Sequence, residues 1–307
     1  MRKTFFDEIR SNKIRSAIII VFFIAFVLVI GGFIGYYYSA GAPGGWIGGI
    51  VISFLVAGLY LLIAYNSGSS MVLSATGAKP VTKKEYPHLF HAVEGIAIAA
   101  GIPAPKAYVI KDTALNAFAT GNSPKKSAIV VTTGLLDKLN RQELEGVIAH
   151  EMSHIKNYDI RVMLLTTVLV GVLTLISDII LRTFLFGGRG NGGGGGDDNK
   201  ATIIFIVIGL VLAILSPLIG QLIKLAVSRK REYLADASGA MLTRYPPGLA
   251  NALKKIKGDP DPLVDHANKA TAHLFISSPF KKRKGFMTKL FSTHPPIEER
   301  IKRLEAM

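Results

Sequence analysis

Residues 150–154 read His-Glu-Met-Ser-His, and this H-E-x-x-H pattern has the residue types and the spacing for metal chemistry. On an α-helix, His150 and His154 lie one turn apart on the same face, so both imidazoles can reach one Zn²⁺ ion. Glu151 lies beside them as a candidate general base. The chain has no cysteine, so any metal site must be built from His, Asp and Glu. The alternative is a pair of histidines stacked on an exposed helix, with Glu151 as a surface charge.

A zinc hydrolase usually supplies three protein ligands and leaves one position for water, so a third ligand is needed. The longer metzincin motif is absent, because Asn157 and Ile160 stand where that motif has Gly and His. Glu232 is the only Glu between His154 and Glu298. We therefore predict that Glu232 is the third ligand. The alternative is a surface charge paired with a neighbouring arginine or lysine at helical spacing.

Two predicted helices must bring these residues together. Asn140, followed three residues later by Glu143, is typical of a capping box and predicts a helix over residues 141–157. A second helix, predicted over residues 229–243, carries the candidate third ligand, with Asp236 one turn further on. Asp236 could accept a hydrogen bond from the second ring nitrogen of a ligating histidine and so fix its tautomer.

The remaining segments outside the apolar stretches have soluble-domain patterning. Three short β-like runs separated by turn residues predict a small antiparallel sheet, and several segments with helical periodicity predict further helices. The predicted strands are residues 107–110, 115–120 and 128–133, and the further predicted helices are residues 83–100, 246–257, 262–276 and 295–304.

The composition predicts a membrane protein. Of 307 residues, 50% are hydrophobic and only 19% are charged, with a mean hydropathy of +0.38. No charged residue occurs between Arg15 and Lys79, a stretch long enough to cross a bilayer twice at about 20 residues per helix. The apolar run is too long for a signal-peptide core of about 7 to 15 residues. Four membrane-spanning helices are predicted, over residues 16–35, 46–65, 162–181 and 201–223.

The formal charge of +15, from 36 Lys and Arg against 21 Asp and Glu, fits either nucleic-acid binding or a membrane protein with positive charge on its cytoplasmic side. The basic residues cluster in the N-terminal tail and just after the fourth span, whereas the loop between the first two spans is uncharged. We therefore predict a multi-pass protein of the cell membrane, with its termini and active site cytoplasmic and with no nucleic-acid partner.

These predictions give a mainly α membrane protein: four transmembrane helices plus a cytoplasmic α+β zincin-like catalytic domain with a small antiparallel sheet. The catalytic domain is expected in two parts, separated by the second pair of spans. The predicted divisions are 1–65 (tail and first hairpin), 66–160 (first catalytic part), 161–224 (second hairpin, with a Gly-rich outer loop at 187–199) and 225–307 (second catalytic part).

Several motifs, together with the four spans, resemble the HtpX-type membrane zinc endopeptidases, a heat-shock family related to the CaaX prenyl proteases. The resemblance covers nearly the whole chain. Its motifs are His150-Glu151-Met152-Ser153-His154 followed by Asn157 and Asp159, Arg231-Glu232-Tyr233-Leu234-Ala235-Asp236, Asn116-Ala117-Phe118, and Thr293-His294-Pro295-Pro296.

The resemblance implies one Zn²⁺ per chain and a role for each motif. The metal ligands would be His150, His154 and Glu232, and the general base would be Glu151. Asp236, Asp159 and Asn157 would order the ligands or their helix. Asn116, Ala117 and Phe118 would form the edge strand that pairs with substrate, and His294 would lie near the developing oxyanion. Without the family, His294 reads equally as a helix-start residue, and the strand as an ordinary half-buried one.

We predict a zinc-dependent endopeptidase that cuts cytoplasmically exposed parts of membrane proteins; its role in stress response and quality control of damaged proteins is implied by the resemblance alone. One alternative is a prenyl-protein (CaaX-type) processing protease, although that branch has more spans. Another alternative is a transporter, because Asp178 lies within a predicted span and a charge there can mark an ion path. Arg182, however, lies one helical turn further on and is placed to pair with Asp178 locally. A silent adaptor would lack a ligand or the base, and none is missing.

Overall fold

The structure is a computed structural model that describes residues 5–39, 42–171, 229–259, 271, 274–277 and 295–307. It begins with a hairpin of two long helices, α1 (Phe5–Tyr38) and α2 (Gly45–Ala75). Within them, Ile9–Tyr36 and Gly45–Ala75 are long and apolar enough to cross a membrane, and only 17% and 11% of their most apolar windows are buried. Apolar surface that faces outward suits lipid, so the first two predicted spans are supported.

Small residues bring the two helices of this hairpin into contact. A Cβ added to Gly35 would lie 2.5 Å from the carbonyl oxygen of Gly45, and one added to Gly31 would overlap the side chain of Ser53. Such close backbone approach is the common packing mode of membrane helices. The hairpin is therefore held by a fitted interface of small residues.

The second helix continues ten residues beyond the predicted end of its span and contacts a helix later in the chain. Residues 159–171 form a helix, α6, at the start of the third predicted span. The hydroxyl of Tyr60 on α2 donates a hydrogen bond to the carbonyl oxygen of Val168 on α6 (3.0 Å). The rest of that span, the fourth span, Asp178 and the Gly-rich loop lie outside the described residues.

The sheet has four strands, β1 (Lys79–Pro80), β2 (Lys106–Ile110), β3 (Ala117–Ser123) and β4 (Lys126–Thr132), in the order β1-β2-β4-β3. The strands β2 and β4 are parallel and the other pairs antiparallel, so the prediction of a purely antiparallel sheet is wrong. The cause lies in β4, which has fully buried residues on both faces and therefore suits the centre of the sheet. The hairpin partner β3 is left at the edge.

The helices of the catalytic part largely match their predicted positions. The capping box is confirmed: Asn140 Oδ1 accepts from the Glu143 amide (2.9 Å), and Glu143 Oε2 accepts from the Asn140 amide (2.8 Å). The predicted helix over residues 262–276 is wrong at its end, because residues 274–277 form a turn and a bend. The observed helices are α3 (Pro87–Ala100), α4 (Thr133–Lys138), α5 (Arg141–Lys156), α7 (Arg229–Thr243), α8 (Pro246–Gly258) and α9 (Ile297–Glu305).

Helix α5 lies at the centre of this part of the molecule and packs against α3, α7, α8 and β3. Glycines allow its neighbours to approach closely: a Cβ on Gly146 of α5 would lie 2.6 Å from the Leu249 amide nitrogen of α8, and one on Gly239 of α7 would lie 3.0 Å from that of His150. The H-E-x-x-H helix is thus buried, and the alternative of two histidines on an exposed helix is wrong.

Candidate active site

The three predicted metal ligands lie together in the protein interior. His150 and His154 come from α5 and Glu232 from α7, and one ligand atom from each lies within 4.8 Å of the others. The two Nε2 atoms are 3.2 Å apart, and they lie 3.7 Å and 3.5 Å from the Glu232 carboxylate oxygens. All three side chains are buried. Two helices distant in sequence therefore bring two imidazoles and one carboxylate to a common point.

Each histidine is held through its other ring nitrogen. Nδ1 of His150 lies 2.9 Å from Asp236 Oδ1, and Nδ1 of His154 lies 2.9 Å from Asp159 Oδ2. An ionised carboxylate only accepts, so each Nδ1 carries a proton and each Nε2 faces the common point. Once both Nε2 atoms are deprotonated, two lone pairs and the Glu232 carboxylate face one another, an arrangement that a divalent cation stabilises. A His₂Glu donor set suits Zn²⁺.

The charges around the site set its protonation. Burial lowers the pKa of His154, but the hydrogen bond to Asp159 and the nearby carboxylates raise it overall, to about 9. For Asp236, burial raises the pKa, while the Arg300 guanidinium and the hydrogen bond from His150 outweigh it and lower the pKa to about 2. Asp236 is thus ionised, and a cation entering the site must displace the proton on His154.

Arg300, a residue that our sequence analysis missed, holds Asp236 in place. It comes from α9 and is 1% exposed. Its Nε donates to Asp236 Oδ2 (2.9 Å) and its Nη2 to Asp236 Oδ1 (2.7 Å), a bidentate ion pair. A signal for it exists in the sequence, since Arg300 lies three residues after Ile297 and four before Leu304, and so shares a helix face with these two apolar residues.

Asp159 is held by two further residues, Asn12 and Arg231. Asp159 Oδ1 accepts a hydrogen bond from Asn12 Nδ2 (2.7 Å) and one from Arg231 Nη1 (3.1 Å). Tyr158 has a positive φ of 60°, which lets the chain turn between α5 and α6 so that Asp159 reaches back to His154. Asn157, predicted beside it, ends α5, and its carbonyl oxygen accepts from Asn12 Nδ2 (2.9 Å).

Glu151, the predicted general base, is buried on α5 beside the ligands. Its carboxylate is close enough to contribute to the raised pKa of both His154 and Arg300, although in each case burial acts in the opposite direction and is the larger single effect. Glu151 therefore lies close to both His154 and Arg300. The other predicted catalytic residue, His294, lies outside the described residues.

The predicted substrate strand lies at the sheet edge, as expected, but is fully buried. Asn116 precedes β3, and Ala117 and Phe118 begin it. Residues 274–277 run along this edge: the amide of Ile276 donates to the carbonyl oxygen of Ala117 (2.9 Å). The described chain itself therefore contacts the edge at which a substrate strand was predicted.

The fold and the site define a membrane-associated metallopeptidase, and the comparisons with known proteins agree. Residues 83–307 match the sequence model of peptidase family M48, and the chain belongs to this family. It is 47% identical to a "Protease HtpX homolog" of Dictyoglomus turgidum, over 99% of this chain and 95% of that protein. Homologues of the same name from Listeria monocytogenes and Streptococcus gordonii are 45% and 41% identical, each over 98% of this chain and 99% of the other.

A solved structure was also found to be similar. The crystal structure of S. mikatae Ste24p aligns with 98% of this chain and 66% of that chain, so this chain spans about two thirds of its length. The sequence identity is 20% and the TM-score is 0.48.

Proposed function

We propose that this metalloendopeptidase is zinc-dependent, with His150, His154 and Glu232 as the metal ligands and Glu151 as the general base. The observation that carries the proposal is the convergence of the three ligand side chains within 4.8 Å, buried, with both histidines held through Nδ1. One zinc ion per chain fits this donor set. Zinc bound there would polarise the scissile carbonyl and acidify a water molecule.

The residues of the chain would carry the proton transfers. Glu151 would accept a proton from the attacking water and deliver it to the nitrogen of the leaving amine. Asp159 and Asp236 would keep both imidazoles in the tautomer that leaves Nε2 free for the metal. We assign His294 to hydrogen bonding with the oxyanion of the tetrahedral intermediate, where loss of one donor typically costs about a hundredfold in rate.

We propose that the substrate binds as an extended strand along Asn116, Ala117 and Phe118. The hydrogen bond from Ile276 to Ala117 supports this, because the Ala117 carbonyl accepts a main-chain hydrogen bond from a segment outside the sheet. Main-chain pairing would recognise peptides with little dependence on their side chains. A substrate that used the same carbonyl would have to displace Ile276.

We further propose that the protein is a multi-pass protein of the cell membrane, with its active site and termini on the cytoplasmic face. Asn12 lies before the uncharged stretch of α1 that follows Arg15, and it contacts Asp159 at the start of α6. This contact supports an active site on the same side of the bilayer as the N-terminus. The positive-inside bias assigns that side to the cytoplasm. Its substrates would be damaged membrane proteins, which it would cut in quality control. It would bind no nucleic acid.

The test is the zinc content and caseinolytic activity of the purified full-length protein in detergent, with a chelator control. We expect about one zinc per chain and chelator-sensitive cleavage in the wild type. Glu151→Gln should retain zinc without cleaving, and Glu232→Ala should lose zinc. Glu145→Gln is the matched control, because Glu145 lies on the same helix and pairs with exposed Arg141. A folded wild type that binds no zinc would refute the proposal.

A further inference from the structure

The Asn12 side chain is buried near the N-terminal end of α1 and has a hydrogen-bond partner on each side of its amide. It is 1% exposed. Nδ2 donates to Asp159 Oδ1 (2.7 Å) and to the carbonyl oxygen of Asn157 (2.9 Å), while Oδ1 accepts from Arg231 Nη1 (2.9 Å). Only a group with two donors and an acceptor can make this set of bonds. The Asn12 amide is thus matched to its surroundings.

These contacts join three parts of the chain that are far apart in sequence. Asn12 and Asp159 are 147 residues apart, and Asn12 and Arg231 are 219 residues apart. Arg231 directly precedes Glu232, and Asp159 Oδ2 lies 2.9 Å from the Nδ1 of His154. Asn12 therefore contacts Asp159, the partner of His154, and Arg231, the neighbour of Glu232 in the chain.

The charge of the cluster also requires a neutral amide at this position. Asp159 carries a negative charge and Arg231 a positive one, and they lie 3.1 Å apart. The amide donates to the carboxylate and accepts from the guanidinium, so it fixes both without adding charge. A carboxylate at position 12 would still accept from Arg231, but it would face Asp159 with like charge.

We propose that Asn12 is a positioning residue for His154, through which the first membrane helix sets the geometry of the metal site. Asn12 and Arg231 together orient Asp159, and Asp159 orients the imidazole of His154. The inference rests on the proposed metal site. Residues that orient a ligand typically affect metal affinity about 10- to 100-fold, and Asn12 acts one contact further out. A loss of about tenfold is therefore expected on its removal.

The experiment compares zinc affinity, by competition with a chelator, across variants of the full-length protein in detergent. Asn12→Ala should weaken zinc binding about tenfold, and kcat should fall with little change in KM. Asn12→Asp should weaken zinc binding at least as much, despite its nearly identical shape. Asn12→Ser should retain more zinc than Asn12→Ala, because a hydroxyl can still donate to Asp159; a role in filling volume alone would not give this order.

The control is Asn66→Ala on α2, because the Asn66 amide is exposed and bonds only to its own helix. It should bind zinc as the wild type does. Thermal unfolding of each metal-free variant shows that the comparison is made on folded protein. Asn12 variants with wild-type zinc affinity, or an Asn12→Asp variant that keeps it, would overturn the inference alone. A wild type without zinc would overturn the proposed function and this inference with it.

Discussion

The two histidines of the site are held in the same way by different regions of the molecule. Each donates from Nδ1 to a carboxylate at 2.9 Å, and each carboxylate contacts a buried arginine. We call the groups that hold His150 the C-terminal brace, which consists of Asp236 on α7 and Arg300 on α9. The groups that hold His154 form the membrane brace, which consists of Asp159, Arg231 and Asn12.

The two braces differ in what supports them. In the C-terminal brace, a bidentate ion pair binds both carboxylate oxygens of Asp236 to one guanidinium, and nothing in it comes from the apolar helices. In the membrane brace, Asp159 Oδ1 accepts one hydrogen bond from Arg231 and one from the neutral amide of Asn12. One half of the metal site is therefore built within the catalytic part, while the other half depends on α1.

The largest effect is expected from Arg300→Met, which removes the charged half of the C-terminal brace. It leaves the Asp236 carboxylate buried without its ion pair, which typically costs about 3–5 kcal/mol of folding free energy. Arg300→Lys should restore little, because a lysine cannot make the bidentate contact. The measurement is denaturant unfolding of the zinc-free protein. Arg303→Met is the control on the same helix, since Arg303 is exposed and stacks on Tyr233; equal losses in both variants would contradict the prediction.

Removing the charge from either carboxylate should weaken zinc binding by a similar factor. Asp236→Asn and Asp159→Asn are each expected to cost about 10- to 100-fold in affinity, because each leaves one histidine without its ionised partner. Chelator competition measures both, with Asp137→Asn as the exposed control. If only one of the two variants lost affinity, the two braces would not be equivalent.

Gly239→Ala tests the contact that brings α7 against α5. The new Cβ would lie 3.0 Å from the His150 amide nitrogen and 3.2 Å from the Ala149 carbonyl carbon, and backbone atoms cannot move aside. Overpacking of this kind typically costs about 1–3 kcal/mol, and zinc affinity should fall with it. Gly95→Ala is the matched control, because nothing lies within 4 Å of its new Cβ; it should leave zinc affinity unchanged and gain up to about 1 kcal/mol of stability.

The smallest effect concerns pH and involves the membrane brace. The pKa of His154 is raised from 6.5 to about 9 in the folded, metal-free protein. The resulting stabilisation is complete below pH 6.5 and is lost as the pH rises through 9. The melting temperature of metal-free protein should therefore fall between pH 6.5 and 9.5. This fall should be smaller in Asp159→Asn, which lacks the hydrogen-bonded charge; an identical fall in both proteins would contradict the assignment.

The sequence predicted the parts of the site that depend on local pattern. His150, Glu151 and His154 follow from spacing on one helix, and the Asn140 capping box correctly located the start of that helix. Glu232 followed from the scarcity of glutamate together with the expected topology, and the structure places it within reach of both histidines. The first three assignments needed no knowledge of which distant segments touch, whereas that of Glu232 needed the expected meeting of two helices.

The rest depended on contacts between distant segments. Asn12 lies in the basic tail and gives no periodic signal, and its partners are 145 to 219 residues away. Arg231 read equally well as a surface charge. The parallel pairing of β2 with β4 was missed, because the turn residues after β2 do not reveal whether β2 pairs with β3, the next strand in sequence, or with β4. Arg300 was the exception, since its place on an apolar face could have been noticed.

The most direct test of the account is the X-ray absorption spectrum of the zinc-loaded, full-length protein in detergent. The account predicts one zinc per chain, bound by two imidazoles and by oxygen ligands at about 2.0–2.2 Å. Glu232→Ala should bind zinc much more weakly, whereas Glu151→Gln should give the wild-type spectrum. Zinc coordinated by fewer than two imidazoles, or a spectrum that His150→Ala and His154→Ala leave unchanged, would contradict a metal site held between the two braces.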